Sequence, residues 1–125
     1  MNPILWAMLI FQLKHFVCDF ALQTPAMIKK KGVYLHPNGL LHAFLHAAGS
    51  LPALLMLSRA PVAIGAVLAA EFVIHYHADY LKARIDERFR LNDQTNLYWI
   101  IFGLDQLVHQ LTYVGMIYAI TQISF

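Results

Sequence analysis

Histidine and aspartate recur four residues apart in each of four apolar stretches: His15 with Asp19, His42 with His46, His75 with Asp79, and Asp105 with His109. Glu71 stands four residues before His75 on the same register. On a helix this spacing puts both side chains on one face, about one turn apart. Such groups are costly in apolar surroundings unless they pair, bind a cation or line a watery cavity. Imidazole and carboxylate together, without thiolate, suit zinc, iron or manganese better than copper(I). The chemistry expected of His15, Asp19, His42, His46, His75, Asp79, Asp105 and His109 is therefore ligation of one or two divalent metal ions, zinc favoured and iron or manganese as alternatives. The competing reading is a buried polar network that ties helices together at roughly 1 kcal/mol per hydrogen bond. A proton or ion path is a third.

The elements that must position these groups follow from composition. Hydrophobic residues make up 59% of the 125 and charged residues only 13%. A typical soluble domain carries about 25% charged residues, so this chain lacks the polar surface to coat itself. It reads as a single all-α domain, residues 1–125, folded as an integral-membrane four-helix bundle, with a soluble helical protein as the structural alternative. Cys18 is the sole cysteine, which excludes an internal disulfide. The N-terminus lacks the basic flank of a signal peptide, so its first apolar stretch is read as mature structure. The four helices are expected at about residues 3–23, 40–58, 61–82 and 97–123, the third running on through residues 83–90. Each is near the ~20 residues that span a bilayer. Residues 14–19 and 71–79 interrupt the apolar runs, and Pro52 predicts a kink in the second helix. Residues 26–31 form a short basic segment at the membrane interface, and His36-Pro37-Asn38-Gly39 reads as a turn.

Basic residues set the expected topology. Lys29 to Lys31 lie between the first two helices, and Lys82, Arg84, Arg88 and Arg90 between the last two. Only Arg59 marks the middle connection. The positive-inside rule puts both basic loops in the cytoplasm and both termini outside. All four His/Asp pairs then fall in the cytoplasmic half of the membrane, although chain direction alternates. Around them, Glu71 is the spare carboxylate for proton transfer, and Lys82, Lys30, Arg84 and Gln23 are the candidate substrate contacts. The implied partners are membrane lipid and an anionic small molecule or lipid as substrate. Gly65, Ala66, Ala69 and Ala70 allow close packing within the chain or in a homodimer. No nucleic-acid partner is expected.

The segments HFVCDFALQ, the basic run at Lys29 to Lys31, HAFLH, HYHADYLK and DQLVH, in this order, span nearly the whole chain. With them it resembles a family of small, uncharacterised polytopic membrane proteins defined as a domain of unknown function. The resemblance implies a polytopic protein with this histidine and aspartate set and brings no reaction. In the style of its site only, the chain is also similar to membrane-bound metal-dependent hydrolases. It has no HExxH or nucleophile motif and lacks the full histidine pattern of membrane desaturases. The expected function is a metal-dependent hydrolase acting on a phosphorylated or otherwise anionic, lipid-like substrate. A di-iron lipid oxidase or hydroxylase is the second expectation, and a non-enzymatic metal or proton carrier the third.

Overall fold

Four of the five helices begin with proline in the first turn, where its missing N–H costs nothing and its fixed φ suits the helix. The computed structural model describes residues 2–123. α1 (Pro3–Phe16) is opened by the Asn2 side chain, which accepts from the amide of Ile4 at 2.8 Å. It runs into a π-helical turn, Val17–Ala21, closed by the amide of Leu22 donating to the carbonyl of Val17. Thr24 caps the short α2 (Pro25–Lys30), so the expected interfacial segment is itself helical. α3 (Pro37–Leu57) starts three residues earlier than the sequence reading places it. The His36 ring accepts from the amide of Asn38 at 3.2 Å, so the turn-like His-Pro-Asn-Gly run serves as a helix cap. α3 continues across Pro52. α4 (Pro61–Phe89) extends through the charged residues as expected and ends on Arg90 in the left-handed conformation (φ 52°). α5 (Asn96–Gln122) completes the chain.

α3 packs against α1 and α4, α4 against α5, and α2 lies on α3. The apolar core sits at the end of the bundle distant from α2, where Phe11, Leu54, Ile64, Val67 and Met116 meet. Phe11 stacks on Tyr113 at 5.1 Å between ring centroids. Small residues let α1 and α3 come close beside the site: a Cβ on Gly49 would meet Cβ of Lys14 at 3.4 Å. The surface reverses the pattern of a soluble protein. Leu13, Phe16, Phe20, Phe44 and Val62 point outward, while histidines and carboxylates are buried.

The described residues include no strand. Three helical stretches are long and apolar enough to cross a membrane, Pro3–Ala21, Pro37–Leu57 and Pro61–Phe89, which is the build of a membrane protein. α5 has the length, but Asp105, Gln106, His109 and Gln110 dilute its apolar character.

Candidate metal centre

His15 and Asp19 stay on one face through the π turn that follows Phe16, Nε2 and Oδ2 lying 3.1 Å apart. Asp19 also faces α3, with Oδ1 at 2.9 Å from Nε2 of His46 and 3.3 Å from Nε2 of His42. α4 contributes Asp79 from the opposite side. Its Oδ2 lies 3.4 Å from Nε2 of His42 and 3.5 Å from Nε2 of His75, and its Oδ1 lies 3.4 Å from Nε2 of His109. Asp105 of α5 stands 3.4 Å from the same nitrogen of His109. His42 is thus shared between two aspartates held by different helices. The rings of His46 and His75 stack at 3.8 Å and those of His75 and His109 at 4.2 Å, so the imidazoles form a column across α3, α4 and α5.

These separations fall into two kinds. The 2.9 Å between His46 and Asp19 is an ordinary charge-assisted hydrogen bond. The cluster of distances at 3.3–3.5 Å around Asp79 and His42 is longer than a good N–H···O bond. It matches the edge of a tetrahedron whose centre is ~2.1 Å from each ligand, roughly 3.4 Å. Both ring nitrogens of His42, Nε2 of His75 and Oδ1 of Asp105 are buried with no hydrogen-bond partner. Buried polar atoms left without a partner cost about 1–3 kcal/mol each. Several of them lie near one another, an arrangement that could hold a cation. Two donor sets are close enough to hold an ion, His42 with His46 and His75, and His75 with Asp79 and His109.

Three expected ligands, His15, Asp19 and Asp105, belong to neither set, and His15 is the one placed differently. Its Nδ1 meets the Tyr113 hydroxyl at 2.8 Å, and its Nε2 meets Oε1 of Gln106 at 2.9 Å and Asp19 at 3.1 Å. With both nitrogens engaged, His15 is placed to orient Asp19.

Glu71 is wholly buried one turn deeper in α4 and forms an ion pair with Lys14 of α1. The Lys14 ammonium also donates to the carbonyl of His46 at 3.0 Å and sits 4.4 Å above the Tyr113 ring. The sequence reading treats Lys14 only as an interruption of an apolar run. A lone lysine inside a membrane-length helix was the available signal, because such a charge needs a partner and Glu71 is a carboxylate deep in a facing helix.

A cleft of about 620 Å³ opens onto the centre between the π turn, α2, α4 and α5. Asp19, Asp79 and Asp105 line it toward the centre, and Lys29, Lys31, Lys82 and Arg84 line it together with Asp86 and Glu87. Phe20, Ile28 and Phe102 add apolar surface. Gln23 lines the cleft and donates to the carbonyl of Asp19 at 3.1 Å. Lys82 pairs with Asp86 at 2.7 Å and lies 4.9 Å over the Tyr98 ring, while Arg84 pairs with Glu87. Lys30 is exposed and does not line the cleft; its neighbour Lys31 does, reaching Asp79 at 2.8 Å. The helix period explains the exchange, since adjacent residues point about 100° apart. Glu71 faces a separate apolar groove between α4 and α5.

No curated protein and no solved structure matches the chain. A family model does, over residues 5–125, and its description is "Protein of unknown function (DUF3307)". The match takes in every helix and all the histidines and aspartates of the centre, and the chain belongs to that family.

Proposed function

We propose that this protein is an integral-membrane, metal-dependent hydrolase acting on an anionic, lipid-like substrate such as a phosphate ester. In this reading α1, α3, α4 and α5 all cross the bilayer as a four-helix bundle, with the termini outside and the centre opening to the cytoplasm. The observation that carries the reading is the set of buried, unpartnered nitrogens of His42 and His75 beside Asp79, whose carboxylate lines a cleft that also holds Lys29, Lys31, Lys82 and Arg84. A polar network alone would satisfy those atoms with one another, and here they stand at ligand-edge rather than hydrogen-bond distances.

A divalent cation at this place supplies charge stabilisation for a phosphoryl oxygen and lowers the pKa of water. The chain's own residues do the rest. Lys82 and Arg84 hold the anionic headgroup at the mouth, exchanging part of their pairing with Asp86 and Glu87 for it. Phe20, Ile28 and Phe102 accept the adjoining apolar chain. Water attacks phosphorus, the ester P–O bond breaks, and the proton from water passes through a carboxylate to the leaving oxygen. Asp105 suits that transfer better than Glu71: its Oδ1 is unpartnered and it lines the cleft. Glu71 is tied to Lys14 and faces the other groove.

The composition of the set His75, Asp79 and His109 also matches the two-histidine, one-carboxylate triad of non-haem iron oxygenases, which keeps a lipid oxidase as the second reading. Metal analysis of the purified, detergent-solubilised protein beside a His75→Ala control separates them. Zinc or manganese lost in the control, with phosphate released from phosphatidic acid vesicles by the wild type, supports the hydrolase. Iron at the same place moves the oxidase forward. A folded protein without any metal overturns both.

A further inference from the structure

The two aspartates are not equivalent, and formal charge shows what the difference is for. Asp79, with His75 and His109, forms one half of the centre, where the nitrogen–oxygen separations are 3.4–3.5 Å and Nε2 of His75 has no partner. Asp19, with His42 and His46, forms the other half. In that half both ring nitrogens of His42 are unpartnered too, but Nε2 of His46 already donates to Asp19 at 2.9 Å.

Ligation through Nε2 of His46 would require the other tautomer, with the proton on Nδ1. Nδ1 lies 3.5 Å from the Lys14 ammonium, so two donors would then face each other. Lys14 is itself fixed by Glu71 and by the carbonyl of His46. The half at Asp19 therefore resists a cation, whereas at Asp79 Nε2 of His75 is unpartnered and a cation would share the carboxylate with Lys31, 2.8 Å from Oδ2.

Charge balance agrees. The centre holds four carboxylates, Asp79 and Glu71 buried and Asp19 and Asp105 half-buried, against the ammonium groups of buried Lys14 and half-buried Lys31, with the imidazoles neutral as ligands must be. One divalent cation brings the sum to zero. A second leaves two uncompensated positive charges in a low-dielectric interior, which is strongly unfavourable. A phosphate dianion in the cleft cancels them, and the cleft is lined by both Asp19 and Asp79, so an anion there touches both halves.

Resting on the metal reading above, we infer that the centre holds one resident divalent ion at His75, Asp79 and His109. A second ion enters at Asp19, His42 and His46 only together with a phosphate dianion. Metal occupancy is thus coupled to the anionic group of the substrate or product.

The test uses the full chain in detergent micelles, dialysed against manganese with and without inorganic phosphate. Bound manganese is measured by elemental analysis and spin coupling by electron paramagnetic resonance. About one equivalent without phosphate, rising to about two with a coupled signal when phosphate is present, is expected. His46→Gln should keep about one equivalent under both conditions, and His75→Gln should lose the ion held without phosphate. Circular dichroism and gel filtration confirm that each variant is folded. Two equivalents without phosphate overturn the coupling. One equivalent under both conditions in the wild type overturns the second half-site. A His46→Gln protein that still takes up a second ion overturns its assignment. No bound metal under either condition removes the metal reading itself, an outcome distinct from the other three.

Discussion

Lys14 and Glu71 offer the sharpest energetic test, because they form an ion pair inside the bundle. Their side chains are 6% and 0% exposed. Replacing Lys14 by methionine keeps the volume and removes the charge. Glu71 is then left with no charged partner, and its Oε2 has no hydrogen bond to begin with. Breaking a buried pair from one side costs about 3–5 kcal/mol. Glu71→Leu should cost less, about 1–3 kcal/mol, since the ammonium of Lys14 keeps the His46 carbonyl. The double variant Lys14→Met, Glu71→Leu removes both charges and should lie within about 1–2 kcal/mol of the wild type, because an apolar pair fills a buried ion pair's place at little loss. The measurement is unfolding of metal-stripped protein by sodium dodecyl sulfate in mixed micelles, followed by circular dichroism, so that metal binding does not contribute. A coupling energy of about 3 kcal/mol is expected from the cycle. Single variants that each cost under about 1 kcal/mol, or a double variant whose cost is their sum, would refute the buried pair.

Three further outcomes follow from the same geometry. Lys82→Ala should lower kcat/KM for a phosphorylated lipid by roughly tenfold or more, the scale of a lost charged hydrogen bond, while metal content stays constant; a fall in metal content would make Lys82 part of the centre. In a Cys18→Ala background, Lys29→Cys should react with a membrane-impermeant thiol reagent only from the cytoplasmic side and Arg59→Cys only from outside, and the reverse pattern would overturn the topology. Gly49→Leu should destabilise by about 1–3 kcal/mol because its side chain meets Lys14. Gly65→Leu, with nothing within 4 Å of its Cβ, should be close to neutral in the same unfolding assay.

The family match says which chains this one groups with and is silent on reaction. The weight of the functional reading therefore rests on a local fact. Five helical elements bring imidazoles from α3, α4 and α5 into one stacked column and leave several of their nitrogens unpaired. Stacking at 3.8–4.2 Å is comfortable for neutral rings, and neutral rings are the form in which histidine binds metal.

Much of this was legible in the residues. The four long helices and their approximate ends followed from apolar length and from prolines such as Pro3 and Pro61, which depend only on local backbone chemistry, while the short α2 and the first-turn role of Pro37 did not. The spacing of four predicted that His42 with His46, and His75 with Asp79, would share a face, because 3.6 residues per turn allow nothing else. Three features were decided by tertiary structure. The π turn at Val17–Ala21 has no sequence signature, since any apolar helix can take up one residue, and Asp19 within it faces both His15 and the histidines of α3. Whether Glu71 would be a free carboxylate or an ion-pair partner depended on the height at which α1 lies against α4, which brings Lys14 beside it. Lys31 rather than Lys30 reaches Asp79 because of how α2 is rolled on α3, a rotation set by packing and not by composition. Sequence period fixes which groups share a face of one helix; only the packing of helices fixes which groups of different helices meet, because their relative height and rotation are chosen by contacts far apart in the chain.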